Sequence, residues 1–217
     1  MKKSSTQNAL TSLAFWINNS YLSPNITTIL QKKFRAAKPY PHLQLPNFLK
    51  KEVANKLLKE LKKEKFDLKE SDLFTFFQTS DLVTTNNLFI KEFRSFLCSA
   101  EFILLMTRIT NLQLKKNSID LAGTLYTNTN HLLPHDDQLE NRKIAFMFYL
   151  TSLKKEDGGA LGLYTSKNNA PTKITRKYST QFNTFFFFQV SPVSFHEVEE
   201  VLTDTQRITL SGWFHDQ

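Results

Sequence analysis

Cysteine occurs once in 217 residues, glycine five times and proline seven times. One cysteine excludes an internal disulfide and a cysteine-rich zinc site, and it points to a reducing, cytoplasmic compartment. Cys98 lies in the largely apolar stretch "FRSFLCSA", where it reads as a small core residue. No uninterrupted apolar run approaches the ~20 residues of a membrane-spanning helix, so no membrane partner is expected. The N-terminal "MKKSSTQNALTSLAFWINNSYL" has a basic start. However, Thr11 and Ser12 break its apolar patch and no small-residue cleavage site stands out, which argues against a signal peptide. There is also no internal repeat and no linker, so residues 1–217 are read as a single domain.

Hydrophobic residues make up 41% and charged residues 22%, the balance of an ordinary soluble globular protein. Phenylalanine is abundant, with twenty copies, many of them in short clusters. A net charge of +8 admits a nucleic-acid partner. The lysines, however, concentrate in "LKKEVANKLLKELKKEKFDLKE", interleaved with glutamates. That pattern is the wet face of an amphipathic helix more than a phosphate-binding stripe, so direct nucleic-acid binding is the weaker reading.

Residues 1–117 read as mostly helical. Helices are expected near Leu10–Ile17 and Ile26–Phe34. "KPYPHLQLPNF" is extended, because Pro41 and Pro46 oppose helix, and Asn47 is placed to cap the next helix. In that helix Val53, Leu57, Leu58 and Leu61 share one face. "LFIKEFRSFLCS" and "AEFILLMTRITN" predict two further helices. From residue 118 the character changes. "IDLAGTLYT", "KIAFMFYLTS", "GALGLYTS", "NTFFFFQVS" and "RITLSGWF" are short aromatic and branched runs, the signature of antiparallel strands. Four consecutive phenylalanines, 185–188, suit a strand buried on both faces; an aromatic platform for RNA is the weaker alternative. "SKNNAPTKITRKYST" reads as a polar loop between strands. Gly158 and Gly159 read as turn glycines and not as a phosphate cradle. The expected fold is mainly β, a sandwich or barrel with the helices packed on one face.

His135-Asp136-Asp137 forms H-x-D ahead of a strand-like run. Alone it is weak, and a polar turn would explain it. Its context is stronger: His196 closes "FFFFQVSPVSFH", and Arg207 comes eleven residues later at the start of "RITLSGWF". Two imidazoles and one carboxylate on one face of an octahedron leave three positions open, the arrangement of non-haem Fe(II) oxygenases. A bidentate 2-oxo acid and O₂ fill them, and the far carboxylate of the acid calls for the two-pronged guanidinium of an arginine.

The stretches "LLPHDD", "RKIAFMFYL", "GGALGLY", "VSPVSFHEVEEVL" and "SGWFH" resemble the 2-oxoglutarate- and Fe(II)-dependent dioxygenases. Among these, the resemblance is strongest to prolyl hydroxylases that act on translation proteins. "PYPHLQLPNFL" is similar to that group's approach to the domain, and the likeness extends over about four fifths of the chain. The resemblance implies a double-stranded β-helix, or jelly roll, over residues 118–217. It implies His135, Asp137 and His196 as iron ligands and Arg207 as the anchor of 2-oxoglutarate. It places Tyr126, Tyr149 and Thr209 around that co-substrate. Asp136 and His131 have no matching role, and His42 and His215 carry no signal of their own. The implied cofactors are Fe(II), 2-oxoglutarate and O₂, with ascorbate supporting activity. The implied substrate is a proline in a ribosomal protein or elongation factor. The better-known eukaryotic members continue past "GWFH" into a second β-helix domain. This sequence stops at Gln217, so recruitment by that domain is expected to be absent or supplied by another protein. Two other classes compete: a catalytically silent β-helix binding module, and a basic ribosome- or RNA-binding protein.

Overall fold

Four phenylalanines in a row divide between two cores. In strand β9 (Thr184–Gln189), Phe185 and Phe187 face a cluster built with the helices, whereas Phe186 and Phe188 face the interior of the sheet. Side chains alternate across a strand, so an all-apolar run requires apolar surroundings on both faces. This is a computed structural model that describes residues 12–139 and 141–216.

Among the described residues eleven strands form one curled sheet in which every pairing is antiparallel. The other strands are β1 (His42–Pro46), β2 (Asp67–Ser71), β3 (Phe74–Gln78), β4 (Ile119–Tyr126) and β5 (His131–His135). They continue with β6 (Arg142–Tyr149), β7 (Leu161–Lys167), β8 (Ala170–Tyr178), β10 (His196–Val198) and β11 (Arg207–His215). The order is β1-β9-β6-β11-β4-β3-β5-β10-β7-β8, with β2 outside β3. Strand β3 is the stitch between the two halves: Phe77 and Gln78 pair with β4, and Phe74 and Thr75 pair with β5. The two end strands then meet through side chains. His42 Nδ1–H donates to the Tyr40 carbonyl at 2.7 Å, which leaves Nε2 to accept from the Tyr178 hydroxyl of β8 at 2.6 Å. This curled, two-layered architecture is the jelly roll expected from the sequence.

Helices α1 (Leu13–Trp16), α2 (Ile26–Ala36), α3 (Lys51–Leu61), α4 (Leu88–Leu97) and α5 (Ala100–Thr110) supply the outer cover. Their buried residues, among them Trp16, Phe34, Leu57, Phe93 and Phe102, join Ile208, Leu210 and Phe214 of β11 in one core. The lysine-rich α3 lies on this core through Val53, Ala54, Leu57 and Leu61, with its lysines outward. Cys98 is buried, as a small apolar residue would be. Among the described residues no helix is long and apolar enough to cross a membrane.

Several details differ from the expectations. Asn47 does not cap α3; it takes a left-handed φ of 52°, and the cap position is Lys50 with no side-chain bond. Among the described residues it is one of seven asparagines with a left-handed φ, together with Asn111, Asn117, Asn141, Asn168, Asn169 and Asn183. Asparagine thus serves where a glycine-richer chain would use glycine. The stretch expected to be a polar loop is instead a hairpin: Asn168 and Asn169 form its turn, and Ala170–Tyr178 is strand β8. Two consecutive left-handed residues are what a tight hairpin turn demands. Strands β1, β2 and β3 lie before residue 118, so the sheet recruits from the segment expected to be helical support. The expected helix near Leu10–Ile17 is described only from Leu13. Residues 1–11, the first half of the stretch weighed as a signal peptide, lie outside the described residues.

Burial holds the His42 imidazole below its usual pKa, against the opposing pull of its hydrogen bond to Tyr40. A depressed imidazole binds its proton more readily in the unfolded chain. Stability linked to His42 is therefore present above about pH 6.5 and is lost as pH falls toward the lower folded value. Urea unfolding between pH 7.5 and 5 should show this loss, and His42→Gln, which cannot titrate, should flatten the slope.

Candidate metal centre

Register, more than loop geometry, assembles the site. His135 at the end of β5 and His196 at the start of β10 are direct partners across the ladder. Their rings lie 4.1 Å apart. Each ring is aimed by the carbonyl two residues before it: His135 Nδ1 bonds Leu133 O and His196 Nδ1 bonds Ser194 O, both at 2.9 Å. A carbonyl only accepts, so Nδ1 carries the hydrogen in both rings and Nε2 is left available to ligate a metal.

Asp137 lies two residues beyond β5 and takes a left-handed φ of 63°. This turn folds its carboxylate back onto the rings. Oδ1 lies 3.4 Å from His135 Nε2, and Oδ2 lies 3.4 Å from His196 Nε2. The three ligand atoms lie within 4.8 Å of one another. Two neutral nitrogens and a carboxylate oxygen so placed make a donor set that fits a divalent transition metal. Asp136 stays outside this cluster; its Oδ1 accepts from Gln138 N and its carbonyl accepts from Ser194 Oγ. His131 lies apart as well, bonded through Nδ1 to Thr129 O.

Arg207 opens β11 and is 2% exposed. Its Nε donates to the Gly159 carbonyl at 2.9 Å and to Thr180 Oγ1 at 3.2 Å. The Gly158–Gly159 turn is thus the seat of the arginine, and Gly159 itself (φ 67°) has Arg207 Cδ only 3.3 Å from where a Cβ would stand. Nη2 is buried and has no hydrogen-bond partner among the described residues. Burying a guanidinium nitrogen without a partner is costly, so this side of Arg207 calls for an anion. The rings of Tyr126 and Tyr149 flank the guanidinium, with centroids 5.1 and 5.2 Å away. Tyr126 pairs with Arg207 across β4–β11, and Thr209 pairs with Tyr149 across β6–β11. Thr209 also shares a short hydrogen bond with Thr124.

A cavity of about 160 Å³ joins these groups; His135, Asp137, His196, Arg207, Tyr126 and Thr209 all line it. Tyr149 is fully buried behind Arg207, with its hydroxyl on Met147 Sδ at 3.2 Å. Sequence reasoning missed other wall residues. Phe76 of β3 stacks on Tyr126 at 5.0 Å, and Gln78, Met147 and Ser211 also line the cavity. It missed Trp213 too, whose Nε1 donates to Asp137 Oδ2 at 3.1 Å. The available signal was the alternation in "RITLSGWF", which puts Arg207, Thr209, Ser211 and Trp213 on one face of β11.

The family model for the 2OG-Fe(II) oxygenase superfamily matches residues 121–215. This chain carries a 2OG-Fe(II) oxygenase domain. Prolyl 3-hydroxylase OGFOD1 of Xenopus laevis is 39% identical over 181 residues, covering 82% of this chain and 35% of the relative. The Mus musculus protein of the same name is 38% identical over 181 residues, covering 82% and 33%. This chain therefore spans about a third of the length of those curated relatives. A Pseudomonas putida prolyl-4-hydroxylase superposes with a TM-score of 0.69 at 15% identity, over 87% of this chain and 99% of the other. A Trichoplax adhaerens prolyl hydroxylase, solved with a hypoxia inducible factor peptide, superposes with a TM-score of 0.69 at 14% identity, over 100% and 94%. At such identities these structures speak for the oxygenase fold alone.

At this candidate centre a proton competes with any metal for the imidazole nitrogens. Burial pulls His135 down, but the hydrogen bond and charge of Asp137 carry its pKa above the ordinary imidazole value. Burial likewise opposes the Asp137 carboxylate; the charge of His196 and hydrogen bonds from both rings nevertheless hold it well below the usual carboxylate range. A raised imidazole pKa means the metal must displace a proton from His135 at a higher pH than usual. Mn(II) affinity, followed by titration, should weaken as pH drops and begin to do so above about pH 6.5. His135→Ala should abolish tight binding while the protein stays folded.

Proposed function

We propose that this chain is an Fe(II)- and 2-oxoglutarate-dependent dioxygenase that hydroxylates a peptidyl proline. The observation that carries the reading is the buried, unpartnered Nη2 of Arg207 in the same cavity as the His135–Asp137–His196 cluster. Among the described residues no carboxylate pairs with this guanidinium. A small dianion that reaches from Arg207 to the metal ligands answers both needs.

His135, Asp137 and His196 would hold Fe(II), and Arg207 would take the distal carboxylate of 2-oxoglutarate. When bound, these groups supply oxidative decarboxylation of the 2-oxo acid to succinate and CO₂, with one oxygen atom delivered to a substrate C–H bond. The chain's own residues bind, orient and exclude water. Tyr126 and Tyr149 confine the guanidinium from two sides, and Thr209, held by Thr124, sets a hydroxyl beside it. Phe76, Leu132 and Val198 supply apolar wall. Tyr126 is pushed to a higher pKa by burial, so its phenol stays protonated and can act only as a neutral neighbour.

A prolyl substrate is supported by curated relatives named as prolyl 3-hydroxylases. The resemblance of the motifs narrows it to a ribosomal protein or elongation factor met in the cytoplasm, with ascorbate sustaining the iron. The basic hairpin expected to border the site is only partly free for such contacts: Lys177 is committed to Glu199, whereas Lys167, Lys173 and Arg176 have no ion pair among the described residues.

Arg207→Lys keeps the charge and loses the fork. Losing a charge-assisted hydrogen bond costs about 1.5–3 kcal/mol, so the apparent KM for 2-oxoglutarate should rise roughly 10- to 100-fold with Mn(II) affinity little changed. Proteome-wide comparison of cells with and without the active protein should reveal a translation-protein proline that gains one oxygen atom. Faster turnover of free proline than of any proline-bearing peptide would sink the protein-hydroxylase reading.

A further inference from the structure

The far side of Asp137 is held by a stack that the donor set alone does not require. Trp213 and Arg207 lie on the same face of β11 but near opposite ends of it. Trp213 Nε1 donates to Asp137 Oδ2 at 3.1 Å. The guanidinium of Arg142, at the start of β6, lies over the Trp213 ring at 3.4 Å from the centroid. Asp120 of β4 stands 3.9 Å from Arg142 Nε. Asp120 is itself 3.3 Å from His215 Nε2, and His215 Nδ1 bonds Ser118 Oγ at 2.8 Å. Contacts thus run from one oxygen of the Asp137 carboxylate out to the sheet end through Trp213, Arg142, Asp120 and His215.

A carboxylate beside a metal can bind through one oxygen or chelate through both. A chelating Asp137 would consume a coordination position that the facial arrangement has to leave open. An indole N–H is a donor only, so it can occupy one carboxylate oxygen and cannot compete for the metal. The ring is also large and planar, and it holds its angle only if something fixes its face. Arg142 does that, since a guanidinium stacks flat on an aromatic face and an ammonium does not.

We infer that Trp213 is a positioning residue that reserves Asp137 Oδ2 and leaves Oδ1 as the single ligand atom, with Arg142 locking the indole in place. This rests on the reading of His135, Asp137 and His196 as the metal centre. Its consequence is a preset choice between two carboxylate modes, made by β11, a strand that carries none of the three ligands. Arg142 acts here through shape and not through charge: a nearby cation by itself repels a divalent metal.

The test uses the full-length protein with Mn(II) and Co(II) as probes, without turnover. Trp213→Phe keeps an aromatic ring for Arg142 to stack on and removes the donor. It should weaken Mn(II) binding about 10-fold or more, the usual size of such outer partners, and shift the Co(II) visible absorption as Oδ2 becomes free to chelate. Arg142→Lys keeps the charge and loses the plane, and it should weaken Mn(II) binding in the same direction. Thermal unfolding of the metal-free proteins should show both variants folded. If either is not, Trp213→Gln, which restores a donor, replaces it and should bind more tightly than Trp213→Ala. Unchanged Mn(II) affinity and Co(II) spectrum in Trp213→Phe would overturn the inference. Wild-type affinity in His135→Ala would instead overturn the metal centre on which it rests.

Discussion

Alternation along antiparallel strands is the constraint on which the rest of this molecule depends. On β11, Arg207, Thr209, Ser211 and Trp213 face the cavity, while Ile208, Leu210 and Phe214 face the helices. Slipping the register by one residue would send the arginine into the apolar core and a leucine into the site. Close contact with β4 guards against this: a Cβ at Gly212 would fall 1.8 Å from the Asp120 carbonyl. The same rule acts on β5 and β10, where the pairing of His135 with His196 places both rings on one side. The geometry of the centre is therefore inherited from the sheet, and only Asp137 needs a special backbone angle.

The helices make this arrangement tolerable. An unpartnered buried guanidinium nitrogen and a cluster of two imidazoles around a carboxylate are poor contributors to stability. Opposite them, one face of β4, β6, β9 and β11 packs on helix residues in an aromatic core where Phe148 and Phe185 stack at 4.3 Å. The strands are held rigid on one side so that their other side can carry polar groups with unmet needs. Closure of the sheet through His42 and Tyr178 adds a second restraint at the end strands.

Much of this is legible in the sequence, for physical reasons that differ by element. The strands buried on both faces announce themselves as apolar runs, as in "TFFFFQ". The amphipathic α3 shows its period because one face is wet. His135, Asp137, His196 and Arg207 stand out because each residue type is scarce or costly in its place. Strand β8 reads as loop because it is an exposed edge with no apolar face, and its paired asparagines are a hairpin signal only once their left-handed angles are known. Strands β2 and β3 escape because the partners that hold β3 in the sheet lie far along the chain, beyond local patterning. Trp213 is visible as a residue but not as a partner, since its hydrogen bond to Asp137 spans 76 positions.

The central claim is that one cavity holds a metal on His135, Asp137 and His196 and a 2-oxo acid on Arg207 at the same time. Anomalous diffraction at the iron edge, from crystals grown without oxygen in Fe(II) and 2-oxoglutarate, tests it most directly. The expected result is a single iron peak bonded to His135 Nε2, His196 Nε2 and one oxygen of Asp137, with the distal carboxylate of 2-oxoglutarate on Arg207 Nη2. Iron bound elsewhere, or 2-oxoglutarate bound away from Arg207, would contradict it.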